Sequence, residues 1–199
     1  VTSARAPTAT LNINLSTTGA FKTMPAGTTF TTSVDGVNYQ FVTVSDITSS
    51  NTGNNIAFDS TLVYEGTYVT SKYLVDTSDV DQKFVLTDPA VDTTTLSVKV
   101  QASASDTTTT TYTKATDISQ LTSASTVYFL QEIERGRYEV YFGDGVISSG
   151  ISDGNIVQLQ YVITNKTAAN GATTFTSPSA IDGVTNITVT TVASASGGG

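Results

Sequence analysis

Apolar and polar residues alternate at period two along much of this chain, and that alternation constrains its fold more than any other feature. In Thr8-Ala9-Thr10-Leu11-Asn12-Ile13-Asn14-Leu15, the residues Leu11, Ile13 and Leu15 are separated by polar ones. This period puts the three on one face of a strand and their neighbours in water. Leu96, Val98 and Val100 alternate in the same way and are expected to point inward. Thr supplies 39 of the 199 residues, and its branched Cβ loses freedom on a helix while packing well on a pleated surface. Helix is confined to at most one short turn at Asp117 to Leu121. The expectation is an all-β chain of mainly antiparallel, sandwich-like strands with little or no helix.

Turn chemistry divides the alternating runs. Asp35-Gly36 separates Phe30–Val34 from Val37–Val44, a strong hairpin signal because a two-residue turn needs positive φ at both central positions. Tyr39, Phe41 and Thr43 then share a face. Asp182-Gly183 repeats that chemistry before Val184. Residues 45–60 are rich in Ser, Asn, Thr and Gly and read as a surface loop. Glu65-Gly66 marks a corner between Leu62-Val63-Tyr64 and Thr67–Val75, and Asp88-Pro89 a turn before Leu96–Val100. Residues 101–111 contain no hydrophobe larger than Ala. The expected organisation is therefore an N-terminal β subdomain over 1–104 and a C-terminal one over 105–199. The second holds strand signals at 127–130, 137–142, 156–163, 173–175 and 184–192.

Composition excludes several functions. The net charge is −8, with nine Lys and Arg that form no cluster beyond Arg135 and Arg137, so a phosphate-binding face for nucleic acid is not expected. The chain has no Cys and hence neither disulfide nor thiolate chemistry, which suits assembly in a reducing cytosol. No apolar run approaches the ~18 residues of a membrane-spanning helix. Val1 in place of Met and the closing Gly197-Gly198-Gly199 read as the ends of a piece of a longer polypeptide.

The chemistry-bearing residues are few. With no His, a Ser-His-Asp triad and His-ligated zinc are ruled out. Glu132, Glu134, Glu139 and Asp144 could supply the paired carboxylates of a glycosidase, but the chain has no Trp to stack on a sugar. Asp76, Asp79 and Asp81, with Asp144 and Asp153 in Gly-flanked loops, invite a calcium reading, yet Asp79-Val80-Asp81 stops after two ligands. The expectation is no enzyme, no cofactor, no metal and no small-molecule substrate. The strongest local pattern is Phe142-Gly143-Asp144-Gly145, followed by Gly150 and Asp153-Gly154-Asn155. It reads as two sharp turns that set the register of two long strands, with Gly143 and Gly145 at φ values a Cβ disfavours. Asn170-Gly171 is a further turn.

A family resemblance rests on these residues. Tyr128–Glu132, Tyr138–Gly145, Gly154–Val157 with Tyr161, and Ala169–Ala172 resemble baseplate wedge proteins of T-even-like contractile phages and, more broadly, the baseplate J-like family. Ala6–Thr10, Pro25–Thr28, the Asp35-Gly36 hairpin, Tyr64–Thr67 and Val91–Val100 are similar in the same order, while Ser148-Ser149-Gly150 departs from the usual Gly after the turn. The resemblance implies a structural part of the inner baseplate ring around the hub, which passes on the change of shape that triggers sheath contraction. It implies other wedge subunits and a second copy as partners, neither nucleic acid nor membrane among them, and a place in the virion after assembly in the host cytoplasm. The rival reading from composition is a cell-surface or fibre-tip adhesin, a carbohydrate-binding β-sandwich.

Overall fold

The structure is a computed structural model, and it describes residues 2–199. The chain is all-β, 51% strand and 5% helical. Its strands are β1 (Thr8–Ser16), β2 (Phe21–Met24), β3 (Thr29–Val34), β4 (Val37–Val42), β5 (Ile47–Ser50), β6 (Asn55–Glu65), β7 (Thr67–Leu74), β8 (Phe84–Leu86), β9 (Val91–Gln101), β10 (Thr109–Lys114), β11 (Val127–Glu132), β12 (Tyr138–Phe142), β13 (Ile156–Ile163) and β14 (Ile187–Ser196). Among the described residues, helix is limited to three single 3₁₀ turns. One of them, Ile118–Gln120, is capped by the Asp117 side chain where the sequence predicts a short turn.

Two compact units divide the chain. A host unit comprises residues 4–68 and 162–199, and an inserted unit comprises 69–161 together with 2–3. In the host unit the sheet order is β14-β1-β6-β4-β3, with β2 and β5 as a separate pair. β1 is central and antiparallel to both neighbours, with Ile13 opposite Val189 on one side and Phe58 on the other. Leu11, Ile13 and Leu15 are fully buried, as their alternation requires, and pack with Met24, Phe30 and Phe41. Phe175 meets Phe41 edge-on, ring centroids 5.0 Å apart. Val34 pairs with Val37 across Asp35 (φ 52°) and Gly36 (φ 80°), the left-handed pair of a type I′ hairpin. Asp182 (φ 45°) and Gly183 (φ 78°) do the same while Ile181 and Val184 exchange backbone hydrogen bonds of 3.0 and 2.9 Å.

The inserted unit is built on the order β7-β13-β9-β10-β11-β12-β8. The β9–β10 and β11–β12 hairpins and the β8–β12 pair are antiparallel, but β10 and β11 run parallel, Thr113 opposite Val127. Tyr73, Phe84, Phe142 and Tyr112 form a chain of edge-to-face contacts, with centroids 5.3–5.7 Å apart, through its interior.

Four expectations are corrected. Residues 45–60 are not one loop: they include β5 and the first half of β6, where Ile56 and Phe58 are buried. A bulge at Asp59 and Ser60 (φ 51°), whose Ser60 N–H donates to Asn12 Oδ1 at 2.9 Å, lets the strand continue with Thr61 and Val63 inward. Residues 173–175 form no strand, although Phe175 is a core residue and the adjoining Thr176 bridges to Thr31. Leu96 is half-buried, unlike Val98 and Val100. Residues 101–111, expected to separate subdomains over 1–104 and 105–199, lie in the β9–β10 hairpin, with Gln101 opposite Thr109. That run lacks large hydrophobes because β10 keeps its side chains in solvent, with Tyr112 alone turned inward.

Leu11→Ala should cost about 2–5 kcal/mol, since it opens a cavity at the centre of the host core. Val37→Ala, at the half-exposed hairpin tip, should cost less than about 0.5 kcal/mol. Urea unfolding followed by tyrosine fluorescence measures both.

Candidate functional site

The segment 142–155 joins β12 to β13. Phe142 anchors it in the aromatic interior. The exposed Asp144 carboxylate accepts the Val146 N–H at 2.9 Å, and that bond holds it below the usual carboxylate range. Gly145 sits at φ 84°, and its N–H donates to Ser148 O at 2.9 Å. Gly143 differs from the expectation: its φ is not in the left-handed region, and close approach is what excludes a side chain there. An added Cβ would overlap Ser148 Oγ, which is buried with no hydrogen-bond partner. Gly150 is held likewise, since a Cβ there would come within 3.1 Å of Gly143 O.

The second turn ties loops together. Asp153 accepts the Thr77 N–H at 3.0 Å, and Gly154 (φ 80°) donates to Val75 O. The Asn155 side chain accepts from Ser152 N at 2.8 Å and donates to Ala102 O at 2.9 Å. Loops 75–82, 102–108 and 143–155 are thereby fixed at one end of the inserted unit.

In the host unit, Glu65 is buried, and its carboxylate accepts from Thr164 Oγ1 (2.8 Å), Asn165 N (2.9 Å) and Asn165 Nδ2 (2.6 Å). Next to it Gly66 (φ 138°) passes so close to Ile163 that a Cβ would overlap the carbonyl oxygen. Asn170 holds the Gly198 backbone through both ends of its amide, and Gly171 (φ 92°) donates to Ala195 O at 2.7 Å. Thr164 and Asn165 escaped the sequence reading as partners of Glu65, because no local periodicity or turn signal marks a residue whose partner is distant in the chain; Ser148 stood out only as a departure from the usual Gly, its contact with Gly143 unmarked.

The other carboxylates are spread out. Glu134 pairs with Arg137 at 3.3 Å, while Glu139 is buried against Gln131. Asp76 and Asp79 each accept a backbone N–H two residues on, from Ser78 and Asp81. Among the described residues, no group of three or more Asp and Glu comes together in a way that could hold a metal ion.

The fold and these turns define a β-structural module whose conspicuous residues shape backbone. Residues 71–187 match the family described as bacteriophage baseplate wedge protein gp6, third domain, and the chain belongs to that family. It is 28% identical over 187 residues to baseplate wedge protein gp6 of Enterobacteria phage T4, a match covering 84% of this chain and 26% of that protein. The chain thus spans well under a third of the relative's length.

Substitutions in the turns should separate by cause. Gly66→Ala, strained in φ and blocked by backbone, should cost about 3 kcal/mol or more. Gly143→Ala should cost about 1–3 kcal/mol by overpacking against Ser148. Gly145→Ala, which meets open space, should cost about 1 kcal/mol through φ alone. Asp144→Asn keeps the acceptor and should cost least, with the melting midpoint unmoved by calcium or chelator in both wild type and variant.

Acid should act through the capping aspartates. Asp76, Asp106, Asp117 and Asp144 are all held below their ordinary value by hydrogen bonds to the turns they cap. A depressed folded pKa stabilises above the unfolded value and is lost as pH falls through the folded one. The thermal midpoint should therefore be flat near neutrality and drop below about pH 4. The drop should be shallower in an Asp76→Asn, Asp117→Asn double variant.

Proposed function

We propose that this chain is a structural part of the baseplate wedge of a contractile-tailed phage, of the T-even-like kind and within the broader baseplate J-like group. It helps to form the inner ring around the hub and passes on the change of shape that releases the sheath. It acts through contacts with other wedge subunits and a second copy of itself, and it has no catalytic role. It is assembled into the virion in the cytoplasm of the host bacterium. The observation that carries this reading is family membership over residues 71–187. The turn residues add support: those of the 142–155 segment and the Glu65–Gly66 corner engage backbone and neighbouring loops, as suits a part that must hold its shape under load. The roles of Asp35, Gly36, Glu65, Gly66 and the 142–155 turns belong to the same reading, as rigid elements that set strand register.

The test is localisation in the particle together with loss of the gene product. Antibodies raised against this chain should label the end of the tail distal to the head. A nonsense mutation in its gene should leave cells with heads and no sheathed tails. Complete, contractile particles from the mutant would refute the wedge reading, as would specific binding of the isolated chain to host cell-surface glycans with no label on the tail.

A further inference from the structure

On one face of the β11–β12 hairpin four side chains form a block. Phe129 and Tyr141, opposite each other across the strands, stack at 5.1 Å with their rings 17° apart. Gln131 and Glu139 form the adjacent cross-strand pair, two residues along each strand and so on the same face. Glu139 Oε1 accepts from Gln131 Nε2, while Oε2 is buried with no hydrogen-bond partner. The carboxylate is therefore buried beside the aromatic pair with a neutral amide as its hydrogen-bonding neighbour. Arg137, just ahead of β12, is engaged with Glu134. Above the stacked rings lies a recess of about 320 Å³, walled by Phe142, Ile147 and the exposed Asp144. Tyr141 is 43% exposed, and Ile147 and Val146 at the loop tip are 53% and 74% exposed. Large apolar side chains left in water beside a concave aromatic floor mark a surface that is covered in use.

Charge identifies the occupant. Aromatic faces attract cations, and more strongly where a carboxylate adds its field at low dielectric. The recess combines a stacked aromatic floor with an exposed aspartate on its rim, and the buried Glu139 carboxylate, outside its lining, lies one same-face cross-strand pair away. The whole inserted unit is acidic, with twelve Asp and Glu against six Lys and Arg over residues 69–161. Two copies of this surface would repel each other, so the partner is a different, basic one. We propose that the Phe129–Tyr141 recess is a seat for an arginine side chain of a neighbouring protein subunit. The guanidinium lies on the ring pair beside Asp144, and its methylene stem packs on Ile147. This deepens the wedge reading by naming the surface and the chemistry of one partner contact, and it rests on that reading for the partner being a subunit.

The experiment is an amide NMR titration of the whole 199-residue chain with N-acetylarginine amide, and separately with N-acetylcitrulline amide, its uncharged isostere. The arginine probe should give saturable shifts confined to residues 129–131, 139–148 and their neighbours. The citrulline probe should bind at least about threefold more weakly, the loss expected when a cation–π contact is removed at a part-exposed site. Tyr141→Leu, which keeps apolar bulk and a dispersed spectrum, should weaken the arginine probe by a similar factor. Scattered or absent shifts, equal binding of the two probes, or a Tyr141→Leu variant that binds like wild type would each overturn the proposal. The two readings fail separately. A tail that carries the chain while the recess ignores arginine removes only the seat; arginine binding by a chain absent from tails removes only the wedge.

Discussion

A carboxylate buried away from water must be met by donors, and Glu65 is met by three, all from the two residues Thr164 and Asn165. This constraint sits where it has most effect. The chain leaves the host unit just after Glu65 and returns just before Thr164, so the carboxylate binds departure and return together from within the host unit. Gly66 adds a steric condition, because only a residue without Cβ can pass Ile163 at that distance. Hydrogen bonding and close approach thus act on consecutive residues. Both conditions act within the host unit, at the two places where its chain is interrupted.

The host core was largely legible in the sequence and the junctions were not. Leu11, Ile13 and Leu15 announced a buried strand because a half-buried strand can be written in no other period. Asp35-Gly36 and Asp182-Gly183 announced their turns because few residue pairs tolerate two successive positive φ values. The β5–β6 region was misread because Asn51–Asn55 has loop composition, and that obscured the Ile56, Phe58 alternation just beyond it. The bulge at Ser60 then shifted the register, so a strictly alternating reading of the whole strand fails. The thin, Thr-rich β10 had the composition of a linker because an exposed strand and a linker both do without large hydrophobes.

Residue type alone did not give the causes at work in the turns. Gly143 and Gly145 look equivalent in Phe-Gly-Asp-Gly, yet one is required by Ser148 pressed against it and the other by its φ. Partners distant in sequence, such as Asn165 for Glu65, leave no local signature. The stacked Phe129–Tyr141 pair was likewise hidden, since either residue alone reads as an ordinary strand aromatic.

The nesting of one unit within the other also sets an order of events during synthesis. β7 through β13 find their partners within one continuous stretch of chain, whereas β1 must wait for β14, and Thr8 ends opposite Ser196. As the polypeptide emerges from the ribosome amino end first, the inserted unit has all its strands available while β1 still has one open edge. Closure of the host sheet is therefore the late, long-range step, slowed by the loop entropy of the whole intervening chain. Until it happens, the backbone groups along that edge of β1 remain unpaired and open to any other extended chain nearby. A growing chain of this kind is most vulnerable to mispairing in the interval between completing its middle and receiving its last strand.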